Sequence, residues 1–315
     1  MWSKIATLFL FVFIILIILP FILFQFFFQI DRDEEITIRV YNHKKNQIVL
    51  MELDEYLRGV IAAEMPALYH LEALKAQAVA ARTYTIRQLE EFGGSGSKKF
   101  NGADVSTDYN VCQAYISEEE MKDRWGFVSY FYYWAKINRA VEETRGQVLV
   151  HNDRLIDALY HANSGGITES AEYVWGNFSP YLRSVESPFD SHGERNFQRS
   201  YYFSFNDFQE VFNINSQIGI NDIDIINLSQ SGRVLEMRVF DKIYTGREIR
   251  ERLGLASTKF KLNKSTSIIQ INTYGYGHGV GMSQDGANGL AHNGFNYKQI
   301  LHHYYTDVEI ISIYD

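Results

Sequence analysis

The chain has 315 residues, with 30 basic against 38 acidic side chains, one cysteine and four prolines. With Lys4 set aside, the residues beyond 30 carry 29 basic and 38 acidic side chains, a net charge of −9. That balance leaves no basic stripe for phosphates and excludes nucleic acid as the partner. The single cysteine, Cys112, excludes an intrachain disulfide, and the 15% aromatic content marks a chain that folds around a core.

From Ile5 to Ile30 there is no charge. As a helix this stretch would reach about 39 Å, enough for a hydrocarbon core of about 30 Å. It is too long for a typical signal-peptide core and has no small-x-small cleavage site, so it reads as an uncleaved single-pass anchor over residues 1–30. Lys4 on one flank and Asp31-Arg32-Asp33-Glu34-Glu35 on the other place the amino terminus in the cytoplasm and the rest outside the membrane. Residues 31–47 form a juxtamembrane segment and first strand, and residues 48–315 the extracytoplasmic domain.

Strands are predicted over Glu35–Tyr41 and Gln47–Leu53. Asp54 is a plausible N-cap for a helix that carries Leu57, Ile61 and Glu64 on one side and ends at Pro66. A second helix is predicted over Glu72–Glu91, closed by Gly93-Gly94. Its alanines at 73, 76, 78, 80 and 81 suit a central position among close neighbours. Ser117 to Glu120 has the composition of a helix start, and Trp125–Glu143 reads as helical and half buried. Gly146–His151 and Leu155–His161 are strand-like, joined by an Asn152-Asp153 turn. Further on, strands are expected over Arg199–Phe205, Val234–Tyr244 (a hairpin with Asp241-Lys242 at its tip), Ser267–Tyr274 and Asp307–Ile313. Helices are expected over Asn206–Phe212, Gly246–Leu253, Ser283–Asn293 and Tyr297–Tyr305. The sum is an α+β fold: a membrane helix followed by a mixed domain of helices and antiparallel strands with a substrate cleft.

Three segments could carry chemistry. Glu64 ends an apolar helical face, and Ala62, Ala63, Met65 and Pro66 give it no polar neighbour in sequence. A carboxyl in such surroundings keeps its proton to higher pH, which is what a general acid needs. On the next helix Lys75 and Arg82 share one face, and Gln77 and Tyr84 another. They form either a polar wall beside Glu64 or surface cations with apolar stems. A direct pairing of Lys75 or Arg82 with Glu64 would lower its pKa and weaken the acid role. The second segment, Tyr160 to Thr168, ends a strand in imidazole, amide and hydroxyl groups with two glycines. It is a binding loop or an ordinary turn. Glu172-Tyr173-Val174-Trp175 follows, with aromatics for sugar faces or for the core. The third, Tyr274 to Ala287, alternates glycines that let the backbone approach a ligand closely. No G-x-G-x-x-G register or G-K-[ST] fits a phosphate loop. No H-E-x-x-H or C-x-x-C points to zinc, and Cys112 reads as a small buried hydrophobe.

The segments Gly59–Pro66, Leu71–Tyr84, His161–Gly166 and Tyr276–Ala287 together resemble the SpoIID family over most of residues 48–312. The resemblance implies a lytic transglycosylase that cuts peptidoglycan glycan strands stripped of their stem peptides. It implies action during engulfment of the forespore, beside a sporulation amidase and a polytopic membrane protein. It places the catalytic role on Glu64 and substrate contacts on Lys75, Gln77, Arg82, Tyr84, His161, Ser164, Tyr173, His278, Met282, Ser283 and Gln284. No metal or cofactor is expected. Related amidase enhancers share the domain and need not cleave anything. The chemistry agrees with the residues. Glycoside hydrolysis usually takes two carboxyl groups, whereas an attack by the muramyl 6-hydroxyl on its own anomeric carbon needs a single acid and base, which one isolated Glu64 can supply.

Overall fold

Alanine decides what can stand at the centre. In the computed structural model, which describes residues 35–192, 197–213, 222–265 and 267–314, helix α2 (Leu71–Ile86) is buried at every position from Ala73 to Thr83. Its small side chains admit neighbours on all sides. Those neighbours are α1 (Leu53–Glu64), α3 (Glu118–Glu142), α7 (Gln284–His292), α8 (Tyr297–Tyr304) and strand β4 (Gln147–His151). The apolar segment 5–30 lies outside the described residues. Among the described residues no helix is long and apolar enough to cross a membrane. Residues Ile38–Ile313 form one compact unit.

The helix termini differ from expectation in two places. Helix α1 starts at Leu53, its N-cap Glu52 makes no side-chain cap, and Asp54 lies in the first turn, where it faces Arg82. Helix α2 stops at Ile86 rather than Glu91, and a separate 3-10 turn covers Glu90–Phe92. Near that end Thr83 and Thr85 donate their hydroxyls back to the carbonyls of Val79 and Ala81, at 2.7 and 2.8 Å. Such back-bonding competes with the helical ladder. Ser117 and Glu120 form the reciprocal cap that opens α3. Gly126 breaks that helix with a non-helical backbone and leaves Phe127, Val128, Phe131 and Tyr132 exposed.

Strands β1 (Thr37–Asn42), β2 (Gln47–Glu52) and β3 (Val105–Ser106) make a small sheet in the order β2-β1-β3, with β1 and β3 parallel. Strand β4 lies between β14 (Glu309–Ser312) and β5 (Arg154–Leu155), both antiparallel to it. Asn152 and Asp153 both take positive φ, 50° and 57°, as a two-residue hairpin turn requires. After β5 the chain leaves this sheet, so the stretch read as one strand to His161 is two. Its second piece, β6 (Tyr160–His161), pairs in parallel with β13 (Met282–Ser283).

Between β6 and β13 the chain first makes the short helix α4 (Ala171–Trp175), then builds a second lobe. The lobe's strands are β7 (Gln198–Ser204), β8 (Ile223–Leu228), β9 (Val234–Val239), β10 (Lys242–Thr245), β11 (Phe260–Lys264) and β12 (Ile268–Tyr274). They form two antiparallel sheets, β11-β12-β7 and β10-β9-β8. Helices α5 (Phe205–Val211) and α6 (Gly246–Leu253) belong to the same lobe. Its core includes Phe208, Met237, Val239, Ile249, Ile269 and Ile271.

Candidate active site around Glu64

Glu64 is the last residue of α1, half-buried, and its Oε1 accepts the backbone N–H of Ala114 at 2.7 Å. Burial holds its carboxyl above the usual carboxylate range, against the opposing pull of the Ala114 N–H and the Gln284 side-chain amide. Among the described residues no Lys or Arg forms an ion pair with it. Lys75 pairs instead with Glu72 at 2.8 Å and Glu143 at 2.5 Å. Arg82, fully buried, donates to the carbonyls of Thr144 at 2.7 Å and Val141 at 3.2 Å and reaches Asp54 at 3.4 Å. These two cations tie α2 to α3 and α1, so the carboxyl of Glu64 is spared the charge that would keep it ionised.

The other polar face of α2 turns toward Glu64. Gln77 is buried, and its Oε1 lies 3.4 Å from the amide of Gln284, the same amide that donates to Glu64. Tyr84 sits beside Cys112, as does the buried Tyr56. Gln113 joins the next layer: it donates to the hydroxyl of Thr85 at 2.9 Å and accepts from the hydroxyl of Tyr160 at 2.7 Å. Tyr160 is half-buried and its phenol lies within the field of Glu64, with burial the main force raising its pKa.

Both imidazoles are neutral. The Nδ1–H of His161 points to the carbonyl of Val280 at 3.1 Å, which leaves its Nε2 a bare acceptor with no partner among the described residues. Burial, then His278 and Arg233, push its pKa well down. His278 accepts the N–H of Val280 on Nδ1 and offers its other nitrogen to the backbone of Tyr160; burial, then Arg250 and Arg233, lower it to about 4. The two rings lie 5.5 Å apart, and Trp175 lies 5.3 Å from His278. Met282 is fully buried in β13, while Tyr173 is exposed on α4.

Ser164 and Ser283 converge on a residue that no sequence pattern marks. The buried carboxylate of Asp190 accepts the hydroxyls of Ser164, Ser283 (2.6 Å) and Ser187 (3.0 Å) and the N–H of Gly166 (2.8 Å). Ser283 also caps α7. The glycine-rich segment is explained by close approach as well, but to protein atoms. A Cβ at Gly279 would stand 2.1 Å from the guanidinium of Arg233, and one at Gly281 would stand 2.0 Å from the carbonyl of Leu159. Arg233 is itself buried, donates to the carbonyl of Ser164 at 2.9 Å, and has its pKa lowered to about 10, mainly by burial.

The sequence thus points to Glu64, Gln77, Tyr84, His161, His278 and Gln284 as groups that the fold draws together or joins through shared partners. It does not point to Gln113, Asp190 or Arg233. These three act through partners far away in the chain, and a scan for local motifs has no way to register them. A groove of about 1640 Å³ is lined by Tyr84, Cys112, Asp157, Trp175 and His278, among others; Glu64 is not among its lining residues. Among the described residues no group of three or more His, Cys, Asp or Glu is placed to hold a metal ion.

Comparison with known proteins places these features in context. A family model described as SpoIID, stage II sporulation protein, matches residues 41–151. The stage II sporulation protein D of Bacillus amyloliquefaciens is 36% identical over 89% of this chain and 80% of its own length. That of Bacillus subtilis (strain 168) is 36% identical over 87% of this chain and 79% of its own. The amidase enhancer of Bacillus subtilis (strain 168) is 30% identical over 81% of this chain and 40% of its own length.

Proposed function

The chain belongs to the SpoIID family of stage II sporulation proteins, and we propose from that premise that it is a membrane-anchored lytic transglycosylase of peptidoglycan that acts in sporulation on glycan strands freed of stem peptides. The observation that carries the reading is the state of Glu64: half-buried, raised in pKa by that burial, and with no cationic partner among the described residues. In its acid form Glu64 protonates the glycosidic oxygen as the bond to the muramyl anomeric carbon breaks. The carboxylate so formed takes the proton of the muramyl 6-hydroxyl, whose oxygen closes on that carbon to give a 1,6-anhydro end. One carboxyl serves both steps, and no activated water is required.

Gln284 and Gln77 hold the carboxyl's orientation, and Tyr84, His161, His278, Met282 and Tyr173 are assigned to the cleft. Lys75, Arg82, Ser164 and Ser283 frame it through the carboxylates and carbonyls they hold. The apolar segment 5–30 anchors the domain outside the cytoplasmic membrane, where a sporulation amidase and a polytopic membrane protein are its expected partners in engulfment.

A second reading has the domain grip glycan and stimulate an amidase without cutting. The similarity to a protein named as an amidase enhancer favours it. Mass spectrometry of glycan digested by the full chain separates the two. Anhydromuramyl ends that vanish in Glu64→Ala support cleavage. Ends formed equally by Glu64→Ala remove Glu64 as the acid, and stimulation of an amidase with no glycan products leaves the second reading.

A further inference from the structure

The large groove runs against the charge of the molecule. The body carries a net charge of −9, with 38 acidic side chains in the chain. Among the described residues only two carboxylates, Asp153 and Asp157, line the groove, and no glutamate does. Three cations line it: Arg87, Lys98 and Arg154. Of the two carboxylates Asp157 is half-buried with Arg87 beside it, at 3.7 Å, and burial raises its pKa while Arg87 opposes the rise. Lys98 and Arg154 are exposed, and no hydrogen bond or ion pair engages either charge within the described residues. Arg87 and Arg154 also border an adjoining hollow of about 570 Å³ that contains Tyr181.

Aromatic rings accompany these charges. Tyr84, Trp175 and Tyr181 line the same groove, and Trp175 stands against His278. Flat rings with polar tips cover the apolar face of a pyranose, and exposed cations take an acidic substituent. The occupant that fits is therefore an acidic sugar polymer, with carboxylates at intervals along it.

We propose that Arg154 and Arg87, with Lys98, select glycan strands by binding the lactyl carboxylates that become free when stem peptides are removed. This rests on the glycan reading of the preceding subsection and adds how a stripped strand is told from a substituted one. While a peptide is attached, the lactyl carbonyl is a neutral amide followed by a bulky chain. Once the peptide has gone, every muramyl residue ends in a carboxylate that a guanidinium can grip with two parallel N–H donors. The groove then favours the stripped strand both by attraction and by the lack of anything to displace.

The test uses the full chain in detergent micelles and two glycans. One is peptide-free with its native carboxylates, the other the same material with those groups converted to methylamides. Cosedimentation measures binding, and release of anhydromuramyl ends measures kcat and KM. The wild-type protein is expected to bind the native glycan more tightly, with the difference shrinking as salt rises. Arg154→Gln is expected to raise KM for the native glycan by about threefold to fivefold, the scale of one partly exposed ion pair, with kcat unchanged and no effect on the methylamide. Lys98→Gln should act in the same direction. Equal binding of the two glycans by the wild-type protein, or an equal loss on both in Arg154→Gln, overturns the proposal. If the wild-type protein releases no anhydro ends, the catalytic reading falls instead, and the cosedimentation difference alone decides this one.

Discussion

Replacing Asp190 by alanine should unsettle the molecule more than removing any single one of the serines that bind it. The carboxylate is buried and accepts four hydrogen bonds, three from the hydroxyls of Ser164, Ser187 and Ser283 and one from the N–H of Gly166. Bonds to a charged group contribute about 1.5–3 kcal/mol each, so four would nominally reach roughly 6–12 kcal/mol. The realised loss is smaller. Ser187 keeps the hydroxyl of Tyr304 at 2.7 Å, and the cost of burying a carboxylate disappears with the carboxylate. The donors left stranded are the Gly166 N–H and the hydroxyls of Ser164 and Ser283, the last of which keeps only its acceptor role toward the N–H of Gly286. At about 1–3 kcal/mol for each unmet buried donor, offset by the desolvation no longer incurred, the expected net loss is about 3–5 kcal/mol. For a domain of this size that corresponds to a fall in Tm of roughly 10 °C. Thermal melts of the full chain followed by circular dichroism measure it, and a shift below about 2 °C would refute the reasoning. Ser164→Ala and Ser283→Ala each remove one donor and should cost about 1–2 kcal/mol while leaving KM for glycan unchanged. A raised KM with an unmoved Tm would mean that those hydroxyls serve the substrate instead.

Three further outcomes follow from the same geometry. Glu64 must be protonated to act as the acid, so activity falls as pH rises through its pKa; because the Gln284 amide lowers that pKa, Gln284→Leu should move the alkaline limb of the kcat/KM profile to higher pH, and a limb that stays put or moves down argues against the contact. Burial raises the folded-state pKa of Glu64, so ionising it costs stability as pH climbs from the ordinary glutamate value, about 4.3, through the folded one; Glu64→Gln should therefore melt higher than the wild-type protein above that window and alike below it, which paired melts in acid and at neutral pH will check. Arg82→Leu removes the guanidinium's bonds to the carbonyls of Thr144 and Val141 and its pairing with Asp54; because those acceptors keep the Gln147 N–H, the Thr144 N–H and Arg145 respectively, urea unfolding should register a loss of about 1–3 kcal/mol.

Local pattern carried the helices well and the contacts between them poorly. The alanines of α2 imply burial on all sides, and every position from Ala73 to Thr83 is buried. Ser117 with Glu120, and Gly246 to Leu253, are visible as a helix start and a short helix because capping and amphipathic spacing are local. The hairpin after Val234 turns at Phe240-Asp241, one residue earlier than expected, with Phe240 at φ 62°. A buried aromatic there outweighs the turn preference of the polar pair that follows. The two polar faces of α2 were legible as faces, but periodicity alone cannot say which one meets Glu64. Lys75 turns toward Glu143, the residue that closes α3, and Arg82 toward Asp54 in the first turn of α1. Asp190 was invisible for the same reason, because three of its four donors come from Ser164, Gly166 and Ser283, far off in the chain.

The parallel pairing of β6 with β13 has a consequence for the order of folding. His161 and Val280 are 119 positions apart in the chain, and the whole second lobe lies between them. Bringing such distant segments together carries a loop-closure cost that a preformed lobe reduces by shortening the effective loop. The pairing of β6 with β13 is consequently expected to close only after the lobe has formed. A chain that stopped short of Val280 would leave strand β6 and the Nδ1–H of His161 without their partners.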